Sequence, residues 1–451
     1  MKAINDATAN MQVRHCHVAI VGAGFTGLAV ASKATRAEMQ VVLIDRRDSQ
    51  PGESRHAQGF IHHGFTYVER HRRLARELSI GASLWTQMIG DVSLPRAPVY
   101  YCYGRRPTMQ FTEGLAELGP ATCELVIGDG LESLPFEPSL FNREGTIFKT
   151  NEYLVRPSDA RKLFLFGDGR LARLRGDVVS CNPHDDHCQL NVLCDDGESI
   201  DLRCQFVVFA GGKENPGKAL RCPKYVVPRS SQTVLIAKPN YISPRYNEVN
   251  AVCKGVESVT LFDPFIGIER PIPMSIWIAT HVIDGNPTYL ITSNILSQLG
   301  DNRSDRVKRV LAVVSAFLKV MRLTDGSELQ WGAYAGQLTD PSWVKDEDES
   351  ADAHSIRFGR RIVQHGRIIR AYSERLTLAP AIANGVFEKL SEGIAHSEVH
   401  EPWDIDEGHL DGEVPDLAEC TELMVWASFL EWAEKNDDGV FGGIASVMKP
   451  K

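Results

Sequence analysis

The segment that most constrains this chain is residues 17–45, HVAIVGAGFTGLAVASKATRAEMQVVLID. An apolar run leads into Gly22-x-Gly24-x-x-Gly27, and a helix-like stretch and a second apolar run then end at Asp45. This order predicts a βαβ unit that binds a dinucleotide, in which the glycines allow a tight turn, close approach of a pyrophosphate and helix packing. We expect the phosphates at the helix N-terminus and a ribose hydroxyl on Asp45. The strands, helix and acid together favour this interpretation over a purely structural glycine turn.

Composition limits the classes of function. The 451 residues suffice for two or three compact units. The formal net charge of -9 disfavours nucleic acid as a partner, because phosphate binding requires clustered Lys and Arg. No stretch approaches the roughly 18 consecutive apolar residues of a membrane span, and residues 1–16 lack the apolar core of a secretory signal. The ten cysteines show no zinc-binding spacing, so we expect reduced, buried thiols in a cytoplasmic protein without a metal.

The patterns along the chain predict two kinds of domain. A buried strand ends in Ala210-Gly211, where small residues allow the backbone to lie against a cofactor. Aromatic and β-branched strands over 223–335 are typical of an antiparallel sheet. We therefore predict an α/β fold, with a discontinuous Rossmann-like nucleotide-binding domain and a second, mainly antiparallel β-sheet substrate domain. The predicted division is a loose N-terminus (1–16), the nucleotide domain (17–105, 150–222 and 340–395), the substrate domain (106–149 and 223–339) and a C-terminal extension (396–451) with a helix over 416–435.

Four segments then point to a family. They are VAIVGAGFTGLAVASKA with VVLID, PGESRHAQGFIHHGFTY (51–67), QFVVFAGG (205–212) and LTLAPAIANGVFEKL (376–390). In this order they resemble the FAD-dependent oxidoreductases of the D-amino acid oxidase type, which include glycine and sarcosine oxidases, glycerol-3-phosphate dehydrogenase and L-2-hydroxyglutarate dehydrogenase. The resemblance implies FAD as the cofactor, with hydride transfer to flavin N5 from a CH–NH or CH–OH bond of a small amine, amino acid or hydroxy acid.

Two other classes of function are weighed against this one. A flavin-bound sensor or assembly subunit could keep the fold without catalysis, because fold does not fix function. An NAD(P) reductase is less favoured, since the chain has no second G-x-G-x-x-G. The electron acceptor, O2 or a quinone, stays open. The apolar C-terminal helix is expected to pack on its own domain, with a homodimer contact as the next alternative.

The resemblance also implies which residues contact FAD. Ser54 and Arg55 are expected to cover the pyrophosphate. The alternative for Arg55 is a surface arginine that binds no phosphate. Arg375 stands where the family often has Gly, so it either points away or adds charge that stabilises the anionic reduced flavin. The full set is Gly22, Gly24, Phe25, Thr26, Gly27, Asp45, Arg46, Ser54, Arg55, His56, Ala57, Ala210, Gly211, Arg375, Leu376 and Thr377.

His56 raises the question of a covalent flavin. The stretch S-R-H-A-Q-G resembles W-H-A-A-G of dimethylglycine and sarcosine dehydrogenases, where the histidine bonds to the flavin 8α-methyl. The alternative is a hydrogen bond beside a dissociable flavin, and Arg55 replaces the aromatic residue of the covalent enzymes. A covalent link favours amine oxidation, whereas I-H-H-G-F-T-Y leans toward hydroxy acids.

His62 and His63 are the candidate catalytic residues, together with Tyr334. A neutral imidazole near pH 7 can act as a base, although a turn histidine bonded to backbone is an equal alternative. A metal site is not expected, because adjacent histidines on a turn seldom point at one ion. The candidate ligands for a substrate carboxylate or phosphate, each of which also fits a structural or solvated role, are Arg229, Arg245, Arg370 and Tyr372.

Overall fold

The computed structural model contains two β-sheets with helices packed on them. It describes residues 14–46, 54, 57–69, 71–89, 96–103, 108–118, 123–127, 132, 134–136, 145–165, 171–212, 229–241, 246, 248–263, 268–296, 303–339, 362–373, 375–394, 421, 423–425, 427–429 and 431. The expected contacts Arg55, His56 and Arg245 lie outside the described residues.

The strands and helices are numbered in chain order. The strands are β1 (Arg14–Val21), β2 (Val41–Asp45), β3 (Phe60–Ile61), β4 (Arg96–Tyr103), β5 (Cys123–Val126), β6 (Thr146–Leu154), β7 (Leu171–Pro183), β8 (Cys188–Cys194), β9 (Ser199–Phe209), β10 (Arg229–Pro239), β11 (Ala251–Asp263), β12 (Ile268–Ile283), β13 (Asn286–Ser293), β14 (Leu329–Thr339), β15 (Ile362–His365), β16 (Ile368–Ala371) and β17 (Met424–Val425). The helices are α1 (Phe25–Arg36), α2 (Arg72–Ile89), α3 (Met109–Leu118), α4 (Pro157–Leu165), α5 (Arg303–Val320) and α6 (Ala379–Gly393).

The first sheet, sheet A, has a parallel core in the order β7-β2-β1-β9-β16. Strand β8 is antiparallel to β7 and β9, and β15 forms a hairpin with β16. The chain runs outward from β1 through β2 to β7 and then returns to the other side of β1 as β9. The strand order therefore reverses between β1 and β9, and ligands of such sheets bind in the crevice at the carboxyl ends of the strands on either side of this point.

The second sheet, sheet B, has the order β17-β14-β10-β13-β12-β11-β4-β6-β3, with β5 beside β6. Its pairs are antiparallel except for the parallel pair β4–β11. Its long strands are rich in β-branched and aromatic residues, which suit a pleated, half-buried surface. Helix α5 packs on this sheet, with Phe317 against Trp331. The predicted fold class, an α/β nucleotide-binding unit with an antiparallel second sheet, is confirmed.

Five segments lie elsewhere than the predicted division placed them, among them β3 and residues 150–154 of β6, which were grouped with the nucleotide domain and pair within sheet B. Residues 14–16, grouped with a loose N-terminus, belong to β1 and pair with 202–204. Strand β4, grouped with the nucleotide domain, pairs with β6 and β11 of sheet B. Met424–Val425, within the predicted C-terminal helix, is a strand on the edge of β14, and residues 427–429 are helical. Each segment is short, so pairing with distant residues decides its conformation.

The core beneath sheet A explains the small residues of α1. This helix, FTGLAVASKATR, is buried on almost every side because it contacts sheet A, α4 and α6. Ala29, Ala31 and Ala34 allow that close approach. Among the described residues, no helix is long and apolar enough to cross a membrane.

Candidate functional site

The glycine turn, residues 22–27, lies where β1 and β9 end side by side. The Ala210 N–H donates to the Val21 carbonyl at 2.8 Å, and the Gly22 N–H donates to the Ile44 carbonyl at 2.7 Å. Gly22 has a φ of +108°, and a Cβ there would lie 2.6 Å from Gly211 Cα. A Cβ on Gly27 would lie 1.8 Å from the Gly22 carbonyl oxygen. Backbone packing therefore requires both glycines before any ligand is considered.

Gly24 differs, because the protein leaves space beside it. Its backbone is extended, and a Cβ would meet the Ser54 hydroxyl at 3.0 Å. Ser54 Oγ accepts a hydrogen bond from the Phe25 N–H at 3.0 Å. The first turn of α1 begins with Phe25-Thr26 and carries no acidic residue of its own. A helix N-terminus with these properties fits a phosphate group.

Asp45 ends β2 beside the glycine turn. Burial raises the pKa of this carboxyl, while the Arg161 charge and the backbone N–H groups of Ala23 and Arg46 act in the opposite direction. The Arg46 guanidinium pairs with Asp177 at 3.1 Å on the protein surface. Asp45 is thus a half-buried acceptor that fits a ribose hydroxyl, whereas the contact found for the Arg46 side chain is a protein carboxylate.

The segment from Ala57 to Gly59 is attached to sheet B. The Gln58 amide donates to the Leu290 carbonyl at 2.9 Å and accepts from the Thr292 hydroxyl at 3.2 Å. His281 Nε2 contacts the Gln58 carbonyl at 2.8 Å, and burial lowers the pKa of this imidazole from 6.5 to about 4. Neutral His281 therefore donates this hydrogen bond, and the segment after Ser54 is fixed by residues more than 200 positions away.

The histidine turn, residues 62–67, follows β3. Gly64 has a φ of +80°, and a Cβ there would lie 2.5 Å from the Ala75 carbonyl oxygen of α2. Phe65 inserts into an aromatic cluster, 4.5 Å from the Tyr101 ring. The His62 N–H donates to Thr377 Oγ1 at 3.1 Å. The turn thereby contacts Arg375–Thr377, which follow β16 at the carboxyl edge of sheet A.

His62 is half-buried, and its imidazole is neutral. Burial lowers its pKa from 6.5 to about 4; the charges of Arg375 and His63 add to this effect, and Glu152 opposes it. Its Nδ1 accepts a hydrogen bond from the Gly64 N–H at 3.2 Å, which leaves the proton on Nε2. Its ring stacks on Tyr67 at 5.9 Å, and the Arg375 guanidinium lies 5.9 Å from the same tyrosine ring.

His63 has a different set of partners. Its N–H and its Nδ1 lie 2.9 and 3.1 Å from Glu152 Oε2, and Tyr101 donates to Oε1 at 3.3 Å. Glu152 is fully buried in β6, whereas the His63 ring keeps 22% of its exposure. The Leu376 carbonyl, next to this region, accepts from the Trp85 indole at 3.2 Å.

The remaining predicted residues are spread over both sheets. Tyr334 is 1% exposed in an apolar cluster of sheet B that includes Leu154. Arg370 and Tyr372 are buried at the end of β16, next to the strand that carries Phe209. The Arg229 backbone belongs to β10, and its side chain is outside the described set. Among the described side chains of this group, those of Arg370 and Tyr372 lie near the carboxyl edge of sheet A.

Sequence reasoning missed four polar residues of this region. Glu152, Tyr101 and His281 are described above, and Lys254 donates to the Thr66 carbonyl at 2.9 Å while lying 5.1 Å from the Tyr103 ring. The only signal for Glu152 was an acid within an otherwise apolar strand end, NEYLV. Within the part of the chain that the structure describes, no three His, Cys, Asp or Glu side chains are placed to hold a metal.

Comparison with known proteins gives one family and many similar folds. The model of the family described as FAD dependent oxidoreductase (DAO) matches residues 17–252, more than half of the chain. An FAD-dependent oxidoreductase from Pseudomonas aeruginosa is 19% identical, with a TM-score of 0.58 over 86% of this chain and 93% of its own. An L-α-glycerophosphate oxidase from Mycoplasma pneumoniae with FAD bound is 14% identical, with a TM-score of 0.59 over 84% and 95%. Glycine oxidase from Geobacillus kaustophilus is 12% identical, with a TM-score of 0.56 over 85% and 96%. The curated protein sequences give no match.

The residues present fit the cofactor that this family implies. Gly24, where an added Cβ meets a side-chain hydroxyl and not the backbone, the α1 N-terminus with no acid in its first turn, and the half-buried acceptor Asp45 suit a pyrophosphate and a ribose. Ala210 and Gly211 leave no side-chain bulk where β9 ends beside Gly22.

Proposed function

Because the chain belongs to the FAD-dependent oxidoreductase family and has FAD as its cofactor, we propose that it oxidises a CH–OH or CH–NH bond of a small polar molecule. When bound, FAD supplies an acceptor for two electrons and a hydride at N5. Glycerophosphate and glycine appear in the names of two neighbours, one an alcohol and one an amine. At 14% and 12% identity these neighbours share the fold, and their names leave both bond types open.

One observation carries the proposal: the histidine turn is hydrogen-bonded to the 376–378 turn through Thr377. That turn follows β16, whose neighbour β9 ends beside the glycine turn. Groups able to hold a dinucleotide and groups able to exchange protons therefore share one edge of sheet A. This is the arrangement that a nucleotide-dependent oxidation requires.

In this proposal each part of the chain has a task. Gly24, Ser54 and the α1 N-terminus hold the pyrophosphate, and Asp45 holds the adenosine ribose. Arg375 and Thr377 contribute to the wall beside the flavin. His62 and His63 orient the substrate or exchange its proton. Arg370 and Tyr372 are the described candidates for binding an anionic group of the substrate.

The test uses the purified flavoprotein under anaerobic conditions. Hydroxy acids, polyol phosphates, amino acids and secondary amines are added in turn, and the flavin absorbance near 450 nm is followed. We expect bleaching by at least one class, and no flavin in the matched variant Gly24→Val. Failure of every class to bleach an FAD-loaded protein contradicts the proposal. Readmitting O2, or a quinone analogue, to the bleached sample then identifies the electron acceptor.

The state of His56 is tested on the same preparation. Acid precipitation leaves a covalent flavin in the pellet and releases a dissociable FAD into the supernatant. Because Arg55 stands where the covalent enzymes have an aromatic residue, we expect free FAD, and only a modest loss of affinity in His56→Ala. Flavin in the wild-type pellet that His56→Ala releases would contradict this and favour an amine substrate.

A further inference from the structure

We infer that the two adjacent histidines have opposite roles: His63, positioned by Glu152 and Tyr101, accepts a hydroxyl proton from the substrate, whereas His62 only donates a hydrogen bond. The inference rests on the proposed function and deepens it, because it selects a CH–OH substrate. In the oxidation the hydroxyl proton passes to His63 Nε2, the C–H hydrogen leaves with its electron pair as a hydride to FAD, and the C–O bond becomes a carbonyl.

The assignment of His63 starts from the acceptor behind it. An ionised carboxylate has no hydrogen to donate, so the contact between Glu152 Oε2 and Nδ1 at 3.1 Å places the proton on Nδ1. Nε2 is then left with a lone pair. The backbone N–H of His63, at 2.9 Å from the same oxygen, fixes the carboxylate relative to the ring. A histidine held in one tautomer by a buried carboxylate is the arrangement that general bases use.

The same reasoning gives His62 the other tautomer. Its Nδ1 lone pair is occupied by the Gly64 N–H at 3.2 Å, so Nε2 carries the hydrogen. Burial keeps this ring neutral at physiological pH, since it lowers the pKa to about 4. With a hydrogen on Nε2 and the Nδ1 lone pair already bonded to Gly64, the neutral His62 ring can donate a hydrogen bond. It has no free lone pair with which to accept a proton.

Burial of the polar groups of Glu152 and Tyr101 costs desolvation free energy. Their presence in the core is explained if they position His63. A fully buried carboxylate loses its hydration, and three donors from His63 and Tyr101 replace it. Burial, followed by the Glu152 charge, raises the pKa of Tyr101 well above its usual value, so the phenol stays a donor. Other charged or titratable groups packed around this turn include His62, Arg375 and Lys254. None of these three groups is an acid. The carboxylate of Glu152 is therefore the group that stabilises an imidazolium at His63.

This arrangement distinguishes the two substrate classes. An alcohol must lose its O–H proton as the hydride leaves, and a positioned base accelerates that step by about 10²–10⁴-fold. A neutral amine can release a hydride by using its own nitrogen lone pair. A histidine whose tautomer is fixed as an acceptor therefore suits CH–OH oxidation, in which the hydroxyl proton must leave together with the hydride.

The kinetic test compares holoenzyme variants of equal flavin content. With a hydroxy substrate we expect His63→Asn to lower the rate of flavin reduction by about 10²–10⁴-fold and Glu152→Gln by about 10²-fold. Tyr101→Phe, which removes one hydroxyl, should have a smaller effect. The matched control is Glu113→Gln on the exposed face of α3, where the rate should be unchanged. In Glu152→Gln the acid limb of the pH–rate profile should move, which a purely structural effect would not cause.

A second readout does not depend on turnover. Diethyl pyrocarbonate modifies the lone pair of neutral imidazoles, and peptide mass spectrometry locates the label. At neutral pH we expect His63 to be labelled and His62 to remain unlabelled. In Glu152→Gln the labelling of His63 at neutral pH should fall, because the ring is no longer held in the tautomer whose Nε2 has the lone pair.

The outcomes separate the two proposals. Bleaching by amines alone overturns the inference and leaves the proposed function intact. No bleaching by any class contradicts the proposed function, while the labelling experiment still decides the tautomers. Faster labelling of His62 than of His63, or unchanged His63 labelling in Glu152→Gln, overturns the inference.

Discussion

The glycine turn (22–27) and the histidine turn (62–67) both place backbone groups at the edge of sheet A, but different parts of the chain hold them. The glycine turn is fixed mainly by β1, α1 and β2, which are its neighbours in sequence. The histidine turn depends on Glu152 and Thr377, which are 89 and 315 residues away from the residues they bind. Cofactor binding is thus encoded locally, whereas the proton-exchanging groups are assembled by the tertiary fold.

The largest effect is expected at Gly27, where the local turn has no spare space. In Gly27→Ala the new Cβ would lie 1.8 Å from the Gly22 carbonyl oxygen, and α1 is buried on almost every side. We expect a loss of about 4 kcal/mol or more in the free energy of unfolding, measured by urea denaturation of the protein without flavin. Ser83→Ala on the exposed face of α2 is the control. A folded variant of unchanged midpoint would show that α1 does not pack on the turn as described.

This difference explains how far the sequence could predict the molecule. The strand–glycine–helix–strand–Asp45 pattern predicted β1, α1 and β2 within a few residues, because each element is fixed by neighbours. The order of four soft motifs predicted the fold class and family. The partner Glu152 was missed because no periodicity in a strand indicates which turn an acid will meet. Strand β4 was grouped with the wrong sheet for the same reason, since its partners β6 and β11 are distant in sequence.

A smaller effect is expected at Gly64 in the histidine turn. Gly64→Ala adds a Cβ 2.5 Å from the Ala75 carbonyl oxygen at a φ of +80°. We expect a loss of about 2–3 kcal/mol in unfolding free energy, together with slower flavin reduction at nearly unchanged FAD content. The control is Gly366→Ala, which has a φ of +58° and no atom within 4 Å of the added Cβ, so it measures backbone strain alone. Equal losses in the two variants would mean that Ala75 does not constrain the turn.

Acid pH should weaken the long-range attachment of the segment from Ala57 to Gly59, which leads through β3 into the histidine turn. The pKa of His281 is about 4 in the folded chain, against 6.5 for the unfolded one, so the unfolded state binds more protons below pH 6.5. This contribution is fully present above pH 6.5 and is lost as the pH falls toward 4. Between pH 7.5 and pH 5 we expect a loss of about 2 kcal/mol from His281.

The measurement is urea denaturation at both pH values for wild type and His281→Gln, whose amide can still donate to the Gln58 carbonyl. The variant should lose about 2 kcal/mol less than wild type over this interval. His62, whose pKa is also about 4, remains in both proteins and cancels in the difference. An identical pH dependence of the two proteins would contradict the buried, neutral state of His281.

The smallest effect on stability is expected at Gly24, and it separates the two reasons for glycine within one turn. Its backbone is extended, and among the described residues an added Cβ would meet Ser54 Oγ, at 3.0 Å. Gly24→Ala should therefore lower the unfolding free energy of the flavin-free protein by about 1 kcal/mol or less, because Ala is a poorer N-cap than Gly. The space belongs to the pyrophosphate, so FAD binding should weaken at least about tenfold, or about 1.4 kcal/mol, as measured by flavin fluorescence titration. Ser54→Ala in the same background removes this contact of the new methyl group. If that double variant regained wild-type affinity for FAD, the added methyl group would clash with Ser54 and not with the pyrophosphate. Glycine at position 24 would then be required by packing within the protein, as it is at Gly27.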